Sequence, residues 1–72
     1  MTFEDFCKAL PADDRAALIR AIIVRCRVSY QAVYSWTRGQ YRPGFLTREN
    51  ITATLNKMFG KRFTIEELFP TK

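Results

Sequence analysis

Residues 22–43 read "IIVRCRVSYQAVYSWTRGQYRP", and the fold turns on whether this stretch holds one helix or two. Val28, Ala32, Val33 and Trp36 recur at i,i+3 and i,i+4 spacing, the stripe of a short helix with one face toward a core. Ser29 is a strong N-cap residue and Gly39 a natural stop, so this helix is predicted over residues 29–38. Upstream, Leu18, Ile19, Ile22, Ile23 and Cys26 form a second apolar stripe that ends before Ser29 begins its own helix. The stretch therefore encodes two helices joined by a tight turn. Tyr30, Gln31, Tyr34, Ser35 and Arg38 are left on the outward face of the later one. They are aromatic and hydrogen-bonding groups without a carboxylate, unlike an ordinary solubilising surface of mixed charge. Such a face suits an anionic partner.

Working outward, Asp13 and Asp14 suit the first turn of the upstream helix, where carboxylates meet the positive end of the dipole. Pro11 separates it from a shorter first helix, because its ring disfavours helical geometry at Leu10. In that first helix Thr2 is the cap, and Phe3, Phe6, Cys7 and Leu10 fall at i, i+3, i+4 and i+7. Downstream, Pro43 and Gly44 make a loop that includes Phe45 and Leu46, and Thr47 is expected to cap a fourth helix. Ile51, Leu55, Met58 and Phe59 would be its buried stripe, with Gly60 in the left-handed position after its end. Thr64 to Glu67 spells T-x-x-E, a capping box for a last helical turn that closes at Leu68 and Phe69 before Pro70. The predicted fold is all-α, a compact bundle of four to five short helices in one domain spanning residues 1–72.

The chain of 72 residues has a net charge of +5, and the distribution of that charge says more than its sum. Residues 15–48 hold Arg15, Arg20, Arg25, Arg27, Arg38, Arg42 and Arg48 and no acid, whereas Glu4, Asp5, Asp13 and Asp14 cluster before them. Arginine's planar fork of donors matches phosphate oxygens and guanine edges. Arg15, Arg20 and Arg48 read more simply as solvated surface. Trp36, by its spacing with Ala32 and Val33, belongs to the core. Cys7 and Cys26 both fall on apolar stripes and are expected as buried free thiols.

The segment around Val28, Ser29, Val33, Trp36, Gly39 and Pro43 resembles the helix-turn-helix of the Cro and phage-repressor type, the XRE-like, lambda-repressor-like DNA-binding domains. "TRENITATLNKMFG" followed by "FTIEELFP" is similar to the end of such domains, so the resemblance covers almost the whole chain. Arg27 stands where the family favours Gly in the turn, which predicts a strained left-handed residue there. Ile23 stands in place of a small Ala, which predicts helices set further apart or a shifted crossing. The resemblance implies sequence-specific binding of double-stranded DNA by a transcriptional regulator of bacterial or mobile-element type, with residues 29–38 in the major groove. By position in the motif, Tyr30, Gln31, Tyr34 and Ser35 are the candidates for base contact. Gln31 leads, since its amide can pair with adenine. Tyr30 and Tyr34 can equally bond phosphate oxygens or pack on thymine methyl groups. Ser29, Arg25, Arg27, Arg38, Tyr41 and Arg42 are the candidates for phosphate contact. Two copies on adjacent half-sites would raise affinity; Phe45 and Leu46, and Phe69 in the tail, are candidate pairing surfaces, although such residues are more often core.

Other classes fit less well. With no His, few carboxylates free of helix starts and no glycine-rich phosphate loop, neither catalysis nor a cofactor or metal ion is expected. No small-molecule substrate is implied. No apolar run is long enough for a membrane span, and no signal peptide is read at the N-terminus, so a cytoplasmic location is expected. The rival reading is a small helical protein-interaction module, or an RNA-binding domain, using Tyr30, Tyr34, Tyr41 and Phe45.

Overall fold

Ser29 does what its position requires: its Oγ accepts the Ala32 N–H at 3.1 Å and starts a helix that the preceding turn has separated from its neighbour. In the computed structural model, which describes residues 1–70, five helices follow in order: α1 Phe3–Ala9, α2 Ala12–Cys26, α3 Tyr30–Thr37, α4 Phe45–Phe59 and α5 Ile65–Leu68. The protein is an all-helical bundle. α2 packs on α3 and α4, α1 packs on α3 and α5, and α5 closes against α4.

The boundaries follow local chemistry. Thr2 caps α1 through the Asp5 N–H, and Leu10 turns extended ahead of Pro11. Thr64 and Glu67 form the reciprocal capping box of α5, with Glu67 Oε1 accepting the Thr64 N–H at 2.8 Å. Gly39 and Gly60 both adopt positive φ after α3 and α4. At the end of α3 the Gly39 N–H donates to Trp36 O and the Gln40 N–H to Ser35 O, the paired bonds that terminate a helix around a left-handed residue. A Cβ at Gly39 would also run into the Glu4 carboxylate.

Several expectations are corrected. Thr47 does not cap α4: the helix starts two residues earlier, with extended Gly44 as N-cap and no side-chain cap. Buried Pro43 anchors this start, and Arg48 Nη1 donates back to Pro43 O at 2.9 Å. Phe45 and Leu46 are consequently in the first helical turn rather than a loop, and both are exposed. Met58 is exposed, whereas the neighbouring Phe59 ring meets the edge of Phe6. Of the two alternatives for Phe69 the structure shows the core one: it is buried and packs at a tilt on the Phe3 ring, with centroids 5.3 Å apart, which removes it from any pairing surface. Arg15 is not merely solvated. Its Nε and Nη2 donate to Cys7 O and Leu10 O, both at 3.0 Å, and so tie the open carbonyls of α1 to α2.

Phe3, Cys7, Leu18, Ile22, Val33, Ile51, Leu55 and Leu68 fill the core, with Trp36, Ile23, Cys26 and Val28 half-buried against it. Neither cysteine is bonded to the other. The polar groups buried with them are threonines on α3 and α4. Thr37 and Thr52 donate their hydroxyls to Tyr34 O and Arg48 O, whereas the Thr54 hydroxyl is buried without a partner. An unpaired buried hydroxyl costs about 1–3 kcal/mol, and valine has the same shape. Thr54→Val is therefore expected to raise stability by about 1 kcal/mol, read as a higher urea midpoint at unchanged m-value; a lower midpoint would refute the assignment.

Burial pushes the Cys7 thiol up to about 12, against a partial lowering by the nearby Arg15 charge. The unfolded thiol ionises near 9.0, so above that value the unfolded chain releases a proton that the folded chain keeps. Stability contributed by Cys7 is thus complete below pH 9.0 and falls as pH rises toward 12. In urea titrations the wild type should lose stability over this range faster than Cys7→Ala, and parallel profiles would contradict it.

Candidate functional site

The site begins with the turn that aims α3. Arg27 occupies the left-handed region, with φ 55° and ψ 50°, and its N–H donates to Ile23 O at 2.8 Å. This is the backbone conformation that the turn demands of whichever residue stands there. Half-buried Val28 and fully buried Val33 then anchor α3 to the core. With Val33 inward, the 3.6-residue period leaves Gln31, Tyr34, Ser35 and Arg38 outward.

Three side chains on this surface form a ladder at i,i+4 spacing. The Tyr30 and Tyr34 rings stack with centroids 5.9 Å apart and planes 17° from parallel. The Arg38 guanidinium lies 5.5 Å from the Tyr34 ring centre, and its Nη1 donates to the Tyr34 hydroxyl at 3.1 Å. Both rings remain open to solvent, Tyr30 at 56% and Tyr34 at 43%. Beside them Gln31 is exposed. Ser35 is half-buried and turns its hydroxyl back to Gln31 O at 3.0 Å, spending its proton within the helix. Tyr30, Gln31, Tyr34, Ser35 and Arg38 therefore share one surface, with the Ser35 proton donated within the helix and the Tyr34 oxygen accepting from Arg38.

The remaining candidates are more spread out. Ser29 is occupied as the cap. Arg27 and Tyr41 are exposed on either side of α3 in the chain. Arg42 is exposed but donates to Pro70 O at 2.6 Å, so this donor is committed to the end of the bundle. Arg25 lines a shallow cleft with Ala21, Val24 and Thr54, on the side of α2 that meets α4. Two basic neighbours were not singled out by motif. Arg20 borders Tyr30 and Tyr34 across a cleft from α2, and Lys8 borders Tyr34 and Arg38 from α1. Lys8 forms an ion pair with Glu4 at 3.2 Å, which makes Glu4 the acid at the edge of that cleft. The absence of acids between residues 15 and 48 was the one signal that could have brought Arg20 in.

Chemically, the surface offers guanidinium donors, one free amide and two aromatic rings. Among the described residues no group of three or more His, Cys, Asp or Glu side chains could hold a metal ion, and no helix is long and apolar enough to cross a membrane. Compared with protein-family models, curated proteins and solved structures, the chain matches none.

A left-handed Arg costs about 1–2 kcal/mol more than the ordinary helical conformation, and Gly gives back roughly half of that relief through its greater unfolded freedom. Arg27→Gly should raise stability by up to about 1 kcal/mol in urea unfolding. A destabilised variant would show instead that the Arg27 side chain holds the turn.

Proposed function

We propose that this protein binds double-stranded DNA with sequence preference, inserting α3 in the major groove as a regulator of the Cro and phage-repressor kind. One observation carries the reading: a short, firmly capped helix whose exposed face bears Gln31, Tyr30, Tyr34 and Arg38 without an acid, with Arg20 of α2 bordering the two rings. A helix of this width fits the groove, and its first turns come nearest the bases. Gln31 is the base-reading amide, able to donate and accept at adenine together. Arg38, Arg27 and Tyr41 grip phosphates on either side and set the register. Arg20 borders the two rings from α2, whereas Arg25 lies toward α4 and Arg42 has one donor on Pro70 O, so these two make secondary phosphate contacts. Ser35 plays a smaller part, because its proton is already used.

Exposed Phe45 and Leu46 in the first turn of α4 support pairing of two copies on adjacent half-sites, in a regulator acting in the cytoplasm. The same exposed apolar groups favour the second reading, a protein-interaction module. Salt separates the two. Each phosphate contact releases counterions, so affinity for DNA must fall steeply between about 50 and 200 mM salt, whereas an apolar contact would not follow that slope.

Titration of random duplex DNA should therefore show strongly salt-dependent binding. Arg38→Ala should weaken binding to all sequences alike and reduce the salt slope by about 1, while Gln31→Ala should alter sequence preference at one position, at about 1–3 kcal/mol. Failure to bind any duplex at low salt would rule out the proposal and leave the interaction module.

A further inference from the structure

We infer, resting on the DNA-binding reading above, that α3 selects A·T base pairs through the C5 methyl group of thymine, with the Tyr30–Tyr34 stack as the methyl-reading surface. The inference comes from what the outward face of α3 still has free. Ser35 has donated its hydroxyl proton to Gln31 O. The Tyr34 hydroxyl accepts from Arg38, and the guanidinium is held over the ring at 5.5 Å from its centre. The Tyr34 oxygen thus accepts within the ladder, which fixes the ring in place while its own proton remains available to an acceptor on a partner. What this face still offers is the Gln31 amide, the phenolic O–H groups at the tips of Tyr30 and Tyr34, and the exposed surface of the two stacked rings.

The amide and the ring surfaces point to the same base pair. In the major groove adenine presents an acceptor and a donor that a Gln amide satisfies together, while its partner thymine presents the C5 methyl, the apolar feature of the groove edge. Gln31 and Tyr34 are i,i+3 neighbours on the helix surface, so an amide on adenine sets the ring within reach of a methyl on the same pair or the next one. Stacking supplies the rigidity. Tyr30 against Tyr34 at 5.9 Å, with Arg38 beyond, holds the rings before DNA arrives, so less side-chain freedom is lost on binding. Removing a methyl from such a contact costs about three- to fivefold in affinity, from the area that it buries.

Uracil tests this directly, because it lacks the methyl and keeps every hydrogen-bonding edge and phosphate of thymine. A preferred duplex is selected from a random pool with the wild-type chain, and each thymine in it is replaced singly by uracil. Dissociation constants are read by fluorescence anisotropy. The expected result is a loss of about three- to fivefold at one or two positions. That loss should disappear in Tyr34→Ala or Tyr30→Ala and persist in Tyr34→Phe and Tyr30→Phe, which keep the rings. Both tyrosines are exposed, and unchanged far-ultraviolet circular dichroism would confirm that the variants fold. Duplex binding indifferent to uracil at every position would overturn this inference and leave DNA binding standing. Discrimination lost equally in the Phe variants would overturn it too, by assigning recognition to the hydroxyls. Absence of binding to any duplex would overturn both this inference and the reading beneath it.

Discussion

The constraint on which the rest depends is the burial of Val33. It is the fully buried residue of α3, in a core with Leu18 and Ile22 of α2 and Ile51 and Leu55 of α4. A short helix has too few bonds of its own to be stable in water, so α3 owes its existence to this packing. The same packing sets its rotation. Once Val33 and Thr37 face inward, Gln31, Tyr34 and Arg38 have no other place to go than the surface. The binding face is the remainder of a packing decision made by aliphatic side chains on other helices.

Around that seam, the bundle uses polar groups chiefly as fasteners between neighbouring segments. Arg15 ties the end of α1 to α2. The Asn56 amide donates to Phe63 O and accepts from the Phe63 N–H, pinning the loop between α4 and α5. Arg48 closes onto Pro43 O and lies over the Phe45 ring at 5.7 Å from its centre. Charged donors on backbone carbonyls are stronger than neutral ones, which suits a chain whose core is small for want of length. The consequence for the surface is uneven. Some arginines of the acid-free middle are spent on structure, while Arg27 and Arg38 keep donors free for a partner.

The helices were legible because their signals are local. Ser29, Thr2 and Thr64 cap the helices they were expected to cap, since a hydroxyl meets an N–H only three residues away. Gly39 and Gly60 stop helices because a left-handed residue is needed there, and Arg27 was expected to carry the same conformation without glycine's freedom. The start of α4 was misplaced. Thr47 had the chemistry of a cap, but buried Pro43, a tertiary feature, let the helix begin at Phe45. Met58 departs from its expected burial for a related reason, since periodicity names a face without saying whether a neighbour covers it, whereas Phe69 takes the core place that such a residue more often has.

By itself, then, the order of residues determined that the chain is helical, where four of the five helices begin, and that one helix carries an aromatic, basic and acid-free face. Those are matters of spacing within a turn or two. The bonds of Ser35 to Gln31 O and of Arg38 to the Tyr34 hydroxyl also run within one turn of α3; only the tertiary structure decided that Arg42 reaches across to Pro70 and that Gln31 and the stacked rings stand open to solvent. Long-range hydrogen bonds and solvent exposure depend on three-dimensional neighbours, and residues 28 positions apart, such as Arg42 and Pro70, meet only when the bundle closes.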